Sequence, residues 1–286
     1  MVISWSEKVY LALVYAFLAL VGAVAVFPLL YVVSVSLTPY EDVMRHGGFM
    51  LVPRNVTFAA YKLFLQDSLL MNAYKVTIFV TVVGTAVNLL LTTLMAYPLS
   101  KKYLPGRTSV LLLIVFTMLF SGGVVPTYLI VKATGLINSV WAMIIPGAVA
   151  AFNLLIMKTF FENLPDAIDE AARVDGAGET RILWSVVLPI SMPIFATIGL
   201  FYAVGHWNTF FPAIMYINDA RLHPLQVVLK AILTRSMETD VQLEEVLPTE
   251  TLQMAAVVLT ALPMVAVYPF IQKYFTQGAL LGSIKG

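Results

Sequence analysis

The side chains best suited to specific chemistry lie in one segment, EAARVDGAGETRILWSVVLP, which runs from Glu170 to Pro189. The segment separates two long apolar stretches and mixes acidic and basic side chains with alanines and glycines. Oriented charges can pair with a partner protein, and small side chains allow its surface to approach closely. This composition therefore favours docking of another protein rather than bond-making chemistry.

Signals for catalysis are weak elsewhere in the chain. His46, His206 and His223 are isolated and have no metal-ligand spacing. The sequence holds no cysteine, which excludes disulfides, thiolate metal sites and thiol nucleophiles. No G-x-x-x-x-G-K-[ST] phosphate-binding loop occurs, and no Ser/His/Asp grouping stands out. We predict a protein that is not an enzyme and that binds no cofactor or metal of its own.

The composition places the chain in a bilayer, because 60% of its residues are hydrophobic, only 12% are charged and the mean hydropathy is +0.88. Six uncharged runs are long enough to span. We predict an all-α polytopic membrane protein that forms a single permease domain over 1–286, in which interior prolines kink or break helices. The expected spans are about 9–37, 76–100, 108–131, 133–157, 188–212 and 251–272, with a cytoplasmic loop at 158–187 and outer loops at 38–75 and 213–250.

The loop LSKKYLPGRTS sets the orientation, because it carries Lys101, Lys102 and Arg107 without an acid and is expected in the cytoplasm. Six spans then place both termini in the cytoplasm. The second outer loop is acid-rich near its end, with Glu244 among its acids. Its apolar stretch HPLQVVLKAIL (223–233) is expected to pack against a sister loop or an extracytoplasmic protein.

Within the cytoplasmic loop, NLPDAIDEAARVDGAG predicts a short helix. Pro165 suits the first helical position, Asp166, Asp169 and Glu170 favour the positive end of the helix dipole, and Gly176 or Gly178 can supply a left-handed stop. The helical spacing places Ile168, Ala171, Ala172 and Asp175 on one small face. Docking into a partner's groove is favoured over the alternative, a helix lying on the membrane surface.

The same segment carries a family resemblance. Glu170-Ala171-Ala172, three residues, Gly176, nine residues and Val186-x-Leu188-Pro189 resemble the EAA loop of binding-protein-dependent ABC importer permeases, with valine for isoleucine as the departure. HWNTFFPAIMY (206–216) and QKYFTQGALLGSIKG (272–286) resemble the six-helix partner of the two permeases in maltose-type sugar importers. SGGVVPTYL (121–129) and the 38–61 loop resemble permeases for complex oligosaccharides or polysaccharide fragments.

The resemblance implies a type I ABC importer permease fold in the inner membrane, with six transmembrane helices and a cytoplasmic coupling helix that sits in a cleft of a separate ATPase. It carries over Glu170 and Gly176 as coupling residues, with Ala171, Ala172 and Asp175 as close contacts and Leu188 and Pro189 closing the motif. The implied partners are a second homologous permease, two cytoplasmic ATPase subunits that hold ATP and magnesium, an extracytoplasmic solute-binding protein, a saccharide and the lipid bilayer.

Polar and aromatic side chains inside the predicted spans are candidates for a translocation path, because they are costly in lipid. These residues are Asn88, Asn153, His206, Trp207, Asn208 and Phe211. Hydrogen bonds between helices are the alternative role, and in maltose-type systems the other permease holds the sugar. An importer of a non-sugar solute, an ion-coupled secondary transporter and a membrane scaffold stay open, although no predicted span contains an acid.

Overall fold

The computed structural model describes residues 5–238 and 250–283, and the acid-rich stretch with Glu244 and the extreme ends of both termini lie outside them. The described residues form α-helices with short 3-10 and π segments and no strand. The α-helices are α1 (Trp5–Ser36), α2 (Tyr40–Arg45), α3 (Ala59–Gln66), α4 (Ser68–Ser100), α5 (Arg107–Leu119), α6 (Val124–Ala133), α7 (Ala151–Glu162), α8 (Asp166–Val174), α9 (Glu179–Ile182), α10 (Leu188–Ile190), α11 (Met192–Trp207), α12 (Phe211–Tyr216), α13 (Leu225–Glu238) and α14 (Glu250–Ser283).

Three helices are long and apolar enough to cross a membrane, as judged by length and composition. They include residues Glu7–Ser36 of α1, Ser68–Ser100 of α4 and Glu250–Val267 of α14. Up to six spans result if each of three sharply bent helix pairs counts as one, and those pairs bend by 118°, 52° and 84°. The expected division into one domain with the stated loop bounds stays a prediction.

The bent pairs lie in the third, fourth and fifth apolar runs, where interior prolines were expected to kink or break the helices. The third run divides into α5 and α6, and the fourth contains 3-10 turns at Val140–Met143 and Ile145–Gly147 before α7. The fifth contains a π-helix at Leu183–Val187, α10, a turn at Ser191, and α11, which ends before the predicted limit at residue 212. Glycine and proline explain these interruptions. Glycine readily adopts conformations outside the helical region, and proline has no N–H to donate to the preceding turn.

The chain divides into two compact units, of which the first comprises residues 1–71 and 229–262. In this unit, the Tyr31 hydroxyl donates hydrogen bonds to the Gly48 carbonyl and to the Glu250 carboxylate, each at 2.9 Å. The Phe49 ring stacks on Tyr31 with centroids 5.6 Å apart. Side-chain contacts thus tie α1 to the loop after α2 and to the first turn of α14.

The second unit comprises residues 72–228 and 263–286 and contains the segment of interest. Its main core is apolar and collects side chains from α4, α7, α11 and the segment between α9 and α10. α7 packs against both α5 and α11. The fully enclosed members of this core include Met157 on α7, Ile182 on α9 and Ile198 on α11. The charged segment packs on this core through Ala172 and through its own buried residues Ile182, Leu183 and Val187.

The outer apolar stretch at 223–233 lies largely in one helix. It forms the first turns of α13, where Leu225 and Val228 are buried. The Leu225 N–H donates to the Thr77 hydroxyl on α4 at 2.8 Å. The first turn of α13 therefore packs on this chain's own α4, and packing of the stretch against a sister loop or an extracytoplasmic protein stays a prediction.

Candidate functional site

The charged segment begins within α8, and the ends of this helix can be compared with the expected signals. Pro165 precedes the first helical residue instead of occupying it, and Asp166 and Asp169 lie in the first turn. At the other end, the Gly176 N–H donates to the Arg173 carbonyl and the Ala177 N–H donates to the Ala172 carbonyl, both at 3.0 Å. These two bonds form a Schellman motif, which requires a left-handed residue.

Gly176 supplies this conformation with φ of +76°, whereas Gly178 has φ of −76°. The structure therefore selects Gly176 as the stop, a choice that the sequence left open. A side chain at Gly176 would meet open space but would strain the backbone, since L-residues rarely adopt this φ. The glycine of the motif thus has a backbone role at the end of α8.

The two faces of α8 differ in exposure. Glu170, Ala171 and Val174 are exposed, and Val174 is 87% exposed despite being apolar. Ala172 is half-buried and packs against the main core. Ile168 is also half-buried, whereas Asp175 is exposed at the C-cap. The face expected to dock as one surface is thus divided, with Ala171 available to a partner and Ala172 in contact with this chain's own core.

Two polar contacts fix the inner face of α8, and the first involves the loop after α4. Lys101 forms an ion pair with Asp169, and both side chains are largely shielded from solvent. The Lys101 ammonium also lies 4.6 Å from the centre of the Tyr97 ring. Because a shielded ion pair and a cation–π contact act on the same ammonium, the end of α4 is firmly attached to α8.

The second contact is a cluster around Glu179. Its carboxylate accepts hydrogen bonds from the Tyr97 and Tyr103 hydroxyls, each at 3.0 Å, and pairs with Arg173. Arg173 also donates to the Tyr103 hydroxyl at 2.7 Å. The bond to Tyr103 and the charge of Glu179 raise the pKa of the Arg173 guanidinium. α8, the loop after α4 and the start of α9 are therefore joined by one polar network.

A cleft of about 410 Å³ opens beside this network. Lys101, Lys102 and Tyr103 line one part of it, and Asp169 and Glu170 line another. A second, ion-paired cluster borders it, in which Glu162 contacts Arg107 at 2.6 Å and also pairs with Lys158. The cleft therefore offers charges of both signs next to the exposed face of α8.

The end of the motif connects α8 to the transmembrane helices. Leu188 is half-buried and Pro189 is exposed, and both belong to α10. Pro189 has no N–H to donate to the preceding turn, and the chain reaches α10 through the π-helix at Leu183–Val187. Beyond Ser191 the axis turns by 84° into α11. The bend at Ser191 therefore lies on the chain path from α8 to α11.

The predicted path residues Asn88 and His206 meet in the interior. The Asn88 amide nitrogen lies 3.0 Å from His206 Nε2, and Asn88 is 2% exposed. Near them, the Thr92 and Tyr202 hydroxyls are 2.7 Å apart, and Tyr202 accepts from the Ala150 N–H at 3.1 Å. These bonds join α4 to α11 and to the start of α7, which is the role in helix packing that the sequence left as the alternative.

The other predicted path residues lie in different surroundings. Trp207 is buried with its ring edge-on to Tyr74 at 6.0 Å, while Phe211 is exposed. Asn208 is exposed and bonds the Val204 carbonyl at 2.9 Å. Asn153 is buried on α7. The six residues therefore lie in both buried and exposed surroundings.

Sequence reasoning missed the residues that hold α8 in place. Tyr97, Lys101, Tyr103 and Glu179 were not singled out as site residues, although the basic loop had been assigned to the same side of the membrane. The sequence also holds an unused signal for the polar contacts between α4 and α11. Polar side chains recur on one face of the apolar helix α4, at Thr77, Thr81, Thr85, Asn88 and Thr92.

Comparisons with known proteins agree with this architecture. Residues 77–280 match the family described as "Binding-protein-dependent transport system inner membrane component". The chain is 43% identical over 285 residues to the "Polygalacturonan/rhamnogalacturonan transport system permease protein YtcP" of Bacillus subtilis (strain 168), covering 98% of this chain and 99% of that protein. It is 44% identical over 274 residues to "Protein LplC" of the same organism, covering 94% of this chain and 92% of that protein.

A solved structure is also similar. It is described as a bacterial ABC transporter involved in the import of the acidic polysaccharide alginate, and it matches with a TM-score of 0.88 and 33% identity over 95% of this chain and 98% of that one. The sequence match and the structural match each extend over most of the chain. This chain belongs to the family of binding-protein-dependent transport system inner membrane components.

Proposed function

We propose that this chain is the membrane-spanning permease subunit of an ATP-driven ABC importer for a carbohydrate, and that it forms half of the translocation path. Family membership, the apolar helices and the exposed α8 support this function. The subunit itself hydrolyses no ATP and binds no cofactor, because ATP and magnesium belong to the partner ATPase. Its assembly contains a second permease, two ATPase subunits and an extracytoplasmic solute-binding protein.

The substrate is an oligosaccharide or polysaccharide fragment. One relative is named for polygalacturonan and rhamnogalacturonan, and the similar solved transporter imports alginate. Both descriptions concern polysaccharides that contain uronic acids, so a galacturonate oligomer is the first substrate to test. A neutral oligosaccharide of the same length is the matched comparison, because it retains the hydroxyl groups and lacks the carboxylates.

α8 is the element through which this subunit receives the ATPase's movement. Its outer face presents Glu170, Ala171 and Val174, while Asp169 pairs with the loop after α4 and Arg173 pairs with Glu179 at the start of α9. A partner that moves α8 therefore also moves the end of α4 and, through the bend at Ser191, α11. This combination of an exposed outer face and an anchored inner face is the observation that carries the proposal.

The same contacts support the predicted orientation. The basic loop with Lys101, Lys102 and Arg107 lies at the α8 end of the second unit, where a cytoplasmic ATPase would bind. An excess of lysine and arginine in short loops is typical of the cytoplasmic side. Both termini are accordingly assigned to the cytoplasm and the 38–75 and 213–250 loops to the outside.

The test is to reconstitute this chain with its co-expressed partners and measure ATP hydrolysis while purified binding protein is added with or without the galacturonate oligomer. We expect the loaded binding protein to stimulate hydrolysis and uptake. Stimulation by a non-sugar solute alone would overturn the substrate assignment. Transport by this chain alone, without a copurifying ATPase, would overturn the function.

A further inference from the structure

The break between α5 and α6 falls inside the third apolar run of the sequence. α5 contains the 13 residues from Arg107 to Leu119, which at about 1.5 Å per residue span roughly 20 Å, less than the ~30 Å hydrocarbon core. Its first residue is held at one end of the unit, since Arg107 bonds the Leu99 carbonyl at 2.8 Å and pairs with Glu162. α6 then departs at 118°. The chain therefore leaves its helical path before it has crossed.

The sequence encodes this break. Gly123 precedes α6 with φ of +86°, a conformation that L side chains rarely adopt. Pro126 in the first turn of α6 has no N–H, so it cannot bond back to Gly122 and extend the helix toward α5. These residues lie in SGGVVPTYL (121–129).

The break exposes polar backbone groups. Among the residues that the structure describes, no partner donates to the carbonyls of Phe120, Ser121 and Gly122, and the Ser121 and Gly122 N–H groups donate no hydrogen bond. All three residues are exposed. Irregular backbone with unpaired polar groups does not face lipid within the hydrocarbon region, where it is tolerated only against protein or a water-filled cavity.

Water and sugar fit these groups better than a protein surface does. A hydroxyl both donates and accepts, so it can satisfy a carbonyl and an N–H alike, whereas a protein partner must present a separate matched group to each. The Ser121 hydroxyl adds a further polar group and accepts from the Gly123 N–H at 3.2 Å. Beside the break, the exposed Phe116 and Phe120 rings stack with centroids 4.4 Å apart and supply an aromatic face.

We propose that the break at residues 120–123 lines a water-filled part of the translocation path, where its backbone groups and Ser121 bind the hydroxyl groups of the passing saccharide. The inference rests on the proposed import function. It assigns a substrate contact to this subunit in a segment outside the six path residues selected from the sequence.

The absence of cysteine from the natural sequence allows a direct test. Ser121→Cys and Gly122→Cys are made singly in the full transporter, and Leu113→Cys serves as the control. Leu113 is exposed on α5, the helix that precedes the break, and its neighbours in sequence are apolar. A Cβ at Gly122 would have only ordinary contact with Pro126, so that variant fits the backbone space. Proteoliposomes are treated on both sides with a charged, membrane-impermeant methanethiosulfonate, and labelling of this chain is followed by mass spectrometry.

We expect both break cysteines to react about tenfold faster than Leu113→Cys, since the reactive thiolate forms in water and is disfavoured in apolar surroundings. A galacturonate oligomer with its binding protein should slow labelling of the break cysteines and leave the control unchanged. Labelling no faster than the control, in nucleotide-free and in ATP-trapped transporter, would overturn the proposal. Fast labelling that saccharide never slows would overturn the substrate contact.

The same preparations separate this inference from the import function. Stimulated ATP hydrolysis in the unmodified transporter, together with unreactive break cysteines, would contradict the inference alone. Reactive break cysteines without any stimulation of hydrolysis would support a water-lined break and contradict the ATP-driven importer. Copurification of the partner subunits with each variant shows that the compared proteins are folded and assembled.

Discussion

Lys101 and Asp169 form an ion pair across 68 residues of sequence and thereby join the loop after α4 to the inner face of α8. Their side chains are mostly shielded from solvent at 15% and 22% exposure. Because α8 is short, its position depends on such contacts more than on its own helical stability. The pair is therefore well placed to pass a movement of α8 to α4.

Asp169→Asn tests this role. We expect it to weaken the attachment of α8 by about 1 kcal/mol, between the values typical of exposed ion pairs and of hydrogen bonds to charged groups. That loss corresponds to roughly a fivefold shift in the equilibrium from attached toward detached α8, and we expect the ratio of sugar transported to ATP hydrolysed to fall. The measurement is simultaneous uptake and hydrolysis in proteoliposomes. Lys102→Gln is the control, since Lys102 has no ion pair within the described part of the chain. An unchanged ratio in Asp169→Asn would show that the pair does not transmit movement.

The outer face of α8 gives a second prediction. Glu170→Lys should abolish coupling by charge reversal, and Ala171→Leu should block docking of the ATPase by filling the space that the small side chain leaves open. Both residues are exposed, so neither change should destabilise the isolated subunit. Ala172→Leu should instead lower subunit stability by about 1–3 kcal/mol, because Ala172 packs on the core. Copurification of the ATPase and thermal stability of the subunit distinguish the two outcomes, and normal transport by Glu170→Lys would contradict the assignment of α8.

Val174 gives a third prediction. An apolar residue that is 87% exposed has little to contact in this chain, and burial against a partner removes it from water. Val174→Ser should weaken ATPase binding by roughly 1–2 kcal/mol, the scale of burying a valine side chain. Titration of the purified permease complex with ATPase measures this change. Equal affinity in the serine variant would show that Val174 stays outside the contact.

The extent of sequence-based prediction differs between local and long-range features. The ends of α8 were predictable because acidic residues at the start and Gly176 at the end act within one or two turns. The six apolar runs were equally visible. The attachment of α8 was not, because Lys101 and Asp169 are far apart in sequence and periodicity does not specify partners across such distances.

The helix breaks were also only partly predictable from the sequence. Pro126 and Pro193 indicate that a helix is disturbed, but kinking and complete interruption share this signal. The 118° turn between α5 and α6 also depends on the left-handed Gly123. Likewise, Asn88 and His206 were recognised as costly in lipid, whereas their direct contact required α4 and α11 to be placed beside each other.

Gly176 and Gly178 form a matched pair for a fourth prediction. A Cβ meets nothing within 4 Å at either position, so steric clashes are equal and only the backbone differs. Gly176→Ala should cost about 1–2 kcal/mol in the left-handed conformation, which corresponds to a 5- to 30-fold larger frayed population of α8. Hydrogen exchange of α8 amides should rise accordingly and coupled transport should fall. Gly178→Ala should change neither by more than a few tenths of a kcal/mol, and equal effects of the two variants would contradict a conformational role for Gly176.

The contact between Gly84 and His206 gives the last prediction. A Cβ on Gly84 would lie 2.6 Å from His206 Nε2, and the ring is further held by Asn88. The imidazole cannot move aside freely, so Gly84→Ala should overpack the joint between α4 and α11 and destabilise the transporter by about 1–3 kcal/mol. Gly205→Ala, next to His206 on α11, is the control, because its Cβ meets nothing within 4 Å. Thermal stability in detergent should fall for Gly84→Ala and recover partly when His206→Ala is added. A double variant as unstable as the sum of its two single variants would show that the close approach of ring and glycine is not the cause.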